Sequence, residues 1–451
     1  MEFAAAKQRL CDQYDRLPRD AGVRLSKPTS NLFRMRPPAE EPGLDVSAFD
    51  GVLRVDVRER TADVLGMTTY EHLVDETLRY GLVPLVVPEL KTITLGGAVT
   101  GLGIESASFR NGCPHESVLE MEVLTGDGRI LTVAPDGEHA GLFAGFPNSY
   151  GTLGYALRLT IELEPVRPFV ELRHTRFGDA ESYFAAVSSV VDERSWQGTA
   201  VDFVDGTVFG PHEMYLTTAR YVTSAPYTSD YAGNRIYYQS LRRRSRDYLS
   251  VRDYLWRWDT DWFWCSRALG VQNPLLRPLV PRRLLRSDVY FKAVGFERRH
   301  QVVARLRRWS GRPASELVVQ DVEVPVERAA QFLDVFQREV GLSPVWICPL
   351  RQRDSSQVWP LYRLEPSTTY VNFGFWGAVS QNVGDPADKH NRLVEELVTE
   401  LGGRKSLYST STFEKDQFWA LYNGAEYDVL KKTYDPDGRL LDLYDKCVRA
   451  R

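Results

Sequence analysis

VPELKTITLGGAVTGLGIESASFRNG, residues 87–112, decides how this chain is read. Glycines at 96, 97, 101 and 103 are too dense for a regular element. They let backbone N–H groups approach a ligand without interference from a Cβ. Clusters of such amides make anion sites of the kind that hold a pyrophosphate. The spacing is not the GxGxxG of a dinucleotide fold, and no GK[ST] follows as in a phosphate-binding P-loop. Further on, Gly151-Thr152-Leu153-Gly154 supplies a second glycine turn.

Around this run the elements are short and mixed. GVLRVDV (51–57) and TADVLGM (61–67) alternate as antiparallel strands about the turn RER. YEHLVDETLRYG (70–81) carries apolar residues at helical spacing and stops at Gly81. LVPLVV (82–87) reads as a buried strand, and LEMEVLTGDGRILTVA (119–134) as a hairpin turning at Gly126–Gly128. A long strand follows the second glycine turn, and Pro165 and Pro168 mark a boundary. Beyond it, 181–193, 329–341 and 392–403 have helical spacing, whereas 212–222, 316–325 and 369–377 read as strands. The expected fold is α+β: a ligand-holding domain over 1–165, a sheet covered by helices on one side over 166–425, and a C-terminal segment, 426–451.

At 451 residues the chain exceeds what one core usually supports, in line with two lobes. The first twenty residues lack the apolar core of a signal peptide, and no apolar run is long enough to span a bilayer. Five scattered cysteines without a CxxC suit reduced thiols in a cytoplasmic setting. Seven dispersed histidines form no HxH or HExxH, so no metal site is expected. Residues 235–312 hold 19 Lys and Arg against 6 Asp and Glu, interleaved with Tyr254, Trp256, Trp258, Trp262, Phe263, Trp264, Tyr290 and Phe291, and with Leu275, Leu276 and Leu279. Two readings stay open: a peripheral surface that rests on phospholipid headgroups, or a solvated arginine-rich face over an ordinary aromatic core. No nucleic-acid module accompanies the charge.

The order hairpin, helix, PLVVPELKTITLGG, GLGIES, then YGTLG resembles the FAD-binding (PCMH-type) domain of the vanillyl-alcohol-oxidase family. The run 87–112, VVQDVEVP (318–325), PVWICPL (344–350), YVNFGFWG (370–377) and FWALYNGAEYDVLKK (418–432) resemble its 24-dehydrocholesterol-reductase branch. RLSKPTSNLFR (24–34), WRWDTDWFWCSR (256–267), PHESVLEM (114–121) and KKTYDPDGRLLDLY (431–444) are similar to the flavoproteins of 10-methyl-branched (tuberculostearic) fatty-acid biosynthesis.

This resemblance implies FAD held by Thr94, Gly96, Gly97, Ala98, Gly101 and Gly103, with Glu105, Ser106, Ser108 and Gly112 along the same loop and Gly151, Thr152 and Gly154 at the second turn. Lys27, Pro28, Thr29, Ser30 and Asn31 stand where the family has its first phosphate loop. That segment lacks the histidine that often bonds the flavin, so the FAD is expected to be non-covalent. Lys432, Tyr434 and Asp435 match an element that relatives fold back against the cofactor. The implied reaction reduces a methylene branch on a phospholipid acyl chain to a methyl branch, with NADPH as electron donor. A companion SAM-dependent fatty-acyl methyltransferase would supply the methylene lipid. Protonating an isolated alkene needs a positioned acid in a dry pocket. Glu105 is the first candidate, then Tyr434 and Tyr370; Trp256, Trp258, Trp262, Trp264, Trp346 and Trp376 are candidates for the pocket wall, where ring faces stabilise a cation. Two other classes stay open, an FAD-dependent oxidase or dehydrogenase of an alcohol or sugar, and a non-catalytic flavoprotein subunit serving the methyltransferase.

Overall fold

The computed structural model describes residues 2–27, 33, 43–233, 235–300 and 314–449, the side chains of 297–300 and 449 excepted. The chain is α+β, and among the described residues two large antiparallel sheets dominate beside two short strand pairs. In the first, strands Val52–Asp56, Thr61–Leu65, Tyr155–Pro165, Val118–Leu124 and Ile130–Val133 lie side by side in that order, and Leu82–Pro84 pairs with the end of Tyr155–Pro165. Along the central strand the buried Leu159, Ile161 and Leu163 alternate with Arg158, Thr160 and Glu162. Period-two alternation of this kind gives one face to the core and the other to charge. On the charged face Arg158 bonds Glu120, Glu122 and Asp63 at once.

The chain leaves this sheet at Pro165 and enters the second at Phe169. Seven long strands and one short one run in the order Arg246–Ser250, Phe169–Phe177, Glu213–Val222, Phe203–Gly210, Val345–Leu350, Tyr370–Ser380, Ser315–Pro325 and Arg404–Lys405. One face packs against helices Ala180–Glu193, Val326–Glu339 and Lys389–Glu400 through Val204, Leu216, Val322, Ile347, Phe373 and Phe375. Asp179 starts the first of these helices by accepting from Ser182 N–H at 2.8 Å. The alternate residues on the other face are Asp205, Thr217, Asp321, Glu323, Trp346, Cys348 and Asn372, most of them polar and all buried except the partly exposed Asp321. Buried polar groups are rarely placed for stability alone.

Over this polar face lie the glycine-rich loop and the segment Val251–Leu269, built of short helical turns. The basic stretch is therefore not a continuous solvated helix, and Trp256, Trp258, Trp262, Phe263 and Trp264 are buried. The expectation of no regular element in the glycine-rich run is corrected: Leu95–Gly101 is a helix. Thr94 Oγ1 accepts from Gly97 N–H at 3.2 Å, and Thr100 Oγ1 donates to Gly96 O at 2.8 Å. Tertiary packing overrides glycine's poor helix propensity, because a Cβ at Gly96 would stand 2.8 Å from Gly66 O. Among the described residues, no helix is long and apolar enough to cross a membrane.

Candidate functional site

The two glycine segments that the sequence singles out meet in space. Tyr150 N–H donates to Thr100 O at 3.0 Å, and the Tyr150 ring leaves no room for a larger residue at Gly101, where a Cβ would lie 3.2 Å away. Gly103 is confined between Pro88 and Pro114. The amides the sequence points to are partly committed within the protein: Gly96 N–H donates to Gly66 O, Gly97 N–H to Thr94 Oγ1, and Ala98 N–H to Thr94 O. The three that follow the helix are different. Among the described residues, the N–H groups of Leu102, Gly103 and Ile104 have no hydrogen-bond partner, and Leu102 holds a left-handed φ of 63°. Consecutive free amides of this kind form an anion-binding concavity. Beside the second turn, the buried Asn148 Oδ1 and Ser149 Oγ also lack partners among the described residues.

Gly112, by contrast, makes room for a protein group. A Cβ there would strike the Glu116 carboxylate, which accepts from Cys113 N–H at 2.8 Å and Arg353 N–H at 2.7 Å. Gly154, at φ 148°, lets the turn pass Val123 and Leu124. Lys27 Nζ lies 3.5 Å from Thr94 Oγ1; Pro28, Thr29, Ser30 and Asn31 lie outside the described residues.

After the free amides the chain enters a buried ionic cluster. Glu105 Oε1 accepts from Ser106 Oγ at 2.5 Å and from Arg257 at 3.3 Å, while Glu105 N–H donates to Ser108 Oγ at 3.0 Å. Arg257, itself buried, also donates to Asp205 on the second sheet at 2.8 Å, and its guanidinium lies 4.1 Å from the centre of the Tyr254 ring. Tyr254 OH is 3.0 Å from Ser106 Oγ. Ser106 O accepts from Val204 N–H at 2.8 Å, so the loop is bonded directly to the second sheet. Glu89 faces Glu105 from the other side; burial first, and the Glu105 carboxylate second, push it well above the usual carboxylate range. Glu89 Oε1 and Glu105 Oε2 are buried without a partner among the described residues. Three carboxyls thus surround one guanidinium, and Glu89 is the one whose surroundings favour the protonated form. Two more acids stand on the same face of the second sheet: burial lifts Asp321 to about 6 and Glu323 to about 8. Asn372 Nδ2 bonds Asp321 at 3.1 Å, and Ser406 Oγ bonds Glu323 at 3.0 Å.

The tryptophans divide. The indoles of Trp258 and Trp346 donate to Asp205 at 3.3 and 3.5 Å. Phe263 stacks on Trp258 with ring centres 4.9 Å apart and reaches Trp376 at 4.4 Å. Trp264 donates to Trp376 O at 3.2 Å, and Trp376 to Tyr408 OH at 2.8 Å. Trp262 stacks instead on Phe33 at 5.4 Å, and Trp256 Nε1 has no partner among the described residues. Of the other residues proposed from the sequence, Tyr370 lies on the inner face of its strand, two residues from Asn372, its hydroxyl accepting from Glu365 N–H at 3.2 Å. Tyr434 is not brought to Glu105; its hydroxyl is 3.2 Å from His139 Nδ1. Lys432 is 75 % exposed and pairs with Asp428. The lysine that reaches the second glycine turn is its neighbour Lys431, donating to Thr152 O at 2.9 Å and paired with the buried Asp435 at 2.7 Å. Sequence reasoning missed Glu89, Asp205, Arg257, Asp321 and Glu323. The signal was present: acids at alternate positions inside apolar strands, as in VVQDVEVP and FVDGTVFG.

A loop of free amides leading into a buried, aromatic-walled cluster of acids is a place for a phosphorylated, planar cofactor. Residues 31–134 match the family model described as an FAD binding domain. The chain carries an FAD-binding domain. It is similar over most of its length to the Delta(24)-sterol reductase homolog dhcr-24 of Caenorhabditis elegans (24% identical, 89% of this chain and 78% of that protein). The Delta(24)-sterol reductases of Arabidopsis thaliana (23%, covering 90% and 77%) and Homo sapiens (25%, covering 88% and 76%) are similar to it to the same degree. The residues present fit FAD. The amides of Leu102, Gly103 and Ile104, together with Asn148 and Ser149, are the polar groups that would hold its phosphates and ribityl chain, and the acid cluster lies immediately beyond them.

Proposed function

We propose that this protein reduces an isolated carbon–carbon double bond in a lipid, converting a methylene branch on a phospholipid acyl chain to a methyl branch with electrons from NADPH. A SAM-dependent fatty-acyl methyltransferase would provide the methylene lipid. The observation that carries the reading is the geometry of the acids: Glu89 and Glu105 face each other in a buried site with one cation, Arg257, where burial beside the Glu105 carboxylate favours the protonated form of Glu89. Likeness to the sterol reductases across nearly the whole chain supports it.

An unconjugated alkene accepts hydride only once it has become electrophilic. Bound FAD, once reduced, supplies that hydride. The chain's own residues supply the rest. The Glu89–Glu105 pair delivers its proton to the terminal CH2 carbon, which becomes the methyl group; the branch carbon is left tertiary and cationic, and hydride closes it. Glu105 Oε2, free of protein partners among the described residues, is the delivering oxygen. Ser106 and Arg257 fix Glu105 through Oε1, and Glu89 restores its proton. The rings of Trp258, Phe263, Trp346 and Trp376 exclude water and can stabilise the transient cation by about 0.5–2 kcal/mol each.

The test is co-expression with the methyltransferase in a host making oleoyl phospholipids, read by fatty-acid mass spectrometry. Saturated methyl-branched chains should replace the methylene chains that the methyltransferase makes alone. Persistence of methylene chains beside a purified yellow protein would overturn the substrate and leave the oxidase reading.

A further inference from the structure

Residues 265–284, CSRALGVQNPLLRPLVPRRL, invert the usual polarity of a loop. The segment contains four arginines and no acid. Its central cation is inside: Arg277 is 2 % exposed, grips both oxygens of buried Asp261 at 2.6 and 2.9 Å, and donates to Gly233 O at 2.8 Å. Its leucines are outside: Leu275 is 82 %, Leu276 52 % and Leu279 77 % exposed. Leucines displayed on a loop anchored by a buried ion pair are held out, not left out by slack. Arg267 at the start of the segment lines a groove of about 340 Å³ together with Arg242, Arg243, Phe209 and Tyr238. Tyr238 OH donates to Gln272 of the loop at 2.7 Å, so groove and loop form one surface. Arg242 is paired with Glu213, but Arg243 and Arg267 make no ion pair among the described residues.

We infer that this surface docks on a bilayer containing anionic phospholipid, with Leu275, Leu276 and Leu279 entering the acyl boundary and Arg243, Arg267 and Arg283 meeting headgroup phosphates. The charge decides between occupants: aliphatic tips on a segment that carries four arginines and no acid complement an anionic lipid surface. A protein interface core is instead rich in aromatic residues and Met. The loop also continues directly from the aromatic wall, since Gln272 donates to Ser266 Oγ at 2.9 Å and Trp264 bonds Trp376. The lipid identity of the occupant rests on the function proposed above; the binding does not depend on turnover.

The holoprotein is sedimented with vesicles of phosphatidylcholine alone and of phosphatidylcholine mixed with phosphatidylglycerol, at low and high salt. Wild type should pellet with the mixed vesicles and be released by salt. L275S/L276S/L279S should lower the partition at least about tenfold. R243Q/R267Q should lower it several-fold and abolish the preference for phosphatidylglycerol. Both variants should keep their flavin absorbance and their activity on detergent-dispersed lipid. Failure of wild type to pellet, pelleting only with the methyltransferase present, or undiminished binding by the triple variant would each overturn the inference. So would gel filtration showing a wild-type dimer that the triple variant dissolves, which would make the loop a contact between copies. Bound vesicles without any lipid reduction would count against the proposed reaction and leave the docking surface standing.

Discussion

At the scale of single residues, the centre of the molecule is an imbalance: Glu89, Glu105 and Asp205 share Arg257. Glu105→Gln keeps the shape and removes the carboxyl proposed to deliver the proton; reduction of the lipid should slow by about 10²–10⁴ with flavin still bound, measured by single-turnover kinetics. Glu89→Gln should slow it less, because Glu105 can still be reprotonated by another route. Arg257→Met should harm folding as well as rate, since it leaves two buried carboxylates without their cation. Glu323 gives a pH signature. Burial raises it from 4.5 to about 8, so between those values the unfolded chain has released this proton and the folded chain has kept it. Stability from this group is therefore lost as pH rises, at about 1.4 kcal/mol per unit. Glu116, raised to about 7, acts in the same direction and is still titrating between pH 7 and 8, but it does so in wild type and variant alike. From pH 7 to 8 the Tm of Glu323→Gln should fall about 1 °C less than that of wild type, followed by calorimetry; parallel curves would place the proton elsewhere.

At the scale of elements, the glycine-rich run was legible as a ligand loop but not as a helix, because its helix depends on Thr94, Thr100 and a close passage over Gly66. Strand alternation identified the second sheet and its helices. It did not say that the inner face would be acidic, since Asp321 and Glu323 in VVQDVEVP read as ordinary outward positions until the loop and the Val251–Leu269 segment cover them. The C-terminal helix Gly424–Tyr434 shows how one position changes a role: Lys431 turns inward to Thr152 and Asp435, while Lys432 faces solvent. Lys431→Met leaves Asp435 buried and unpaired and should cost about 3–5 kcal/mol in chemical denaturation. Lys432→Met should change stability by less than about 0.5 kcal/mol. Equal costs would contradict the inward placement of Lys431.

At the scale of the whole molecule, the first sheet presents the glycine-rich loop, the second presents acids and indoles, and the basic-aromatic segment closes the space between them. The arrangement was half visible in sequence. Local patterning gave the elements of each sheet, but the pairing of Glu105 with Arg257 and Asp205 joins parts of the chain far apart in sequence and exists only once the sheets face each other. The central claim is that an unactivated alkene is protonated by this chain and then reduced by its flavin. The most direct measurement mixes dithionite-reduced holoprotein with methylene-branched phospholipid anaerobically in D2O, following flavin absorbance and the product's mass spectrum. The flavin should reoxidise in step with product, one equivalent for each chain, and each product should carry one solvent deuterium in its new methyl branch from the acid and a second at the branch carbon, because the N–H hydrogen of a reduced flavin exchanges with solvent. A flavin that stays reduced until oxygen is admitted, or a new methyl branch without deuterium, would contradict this mechanism.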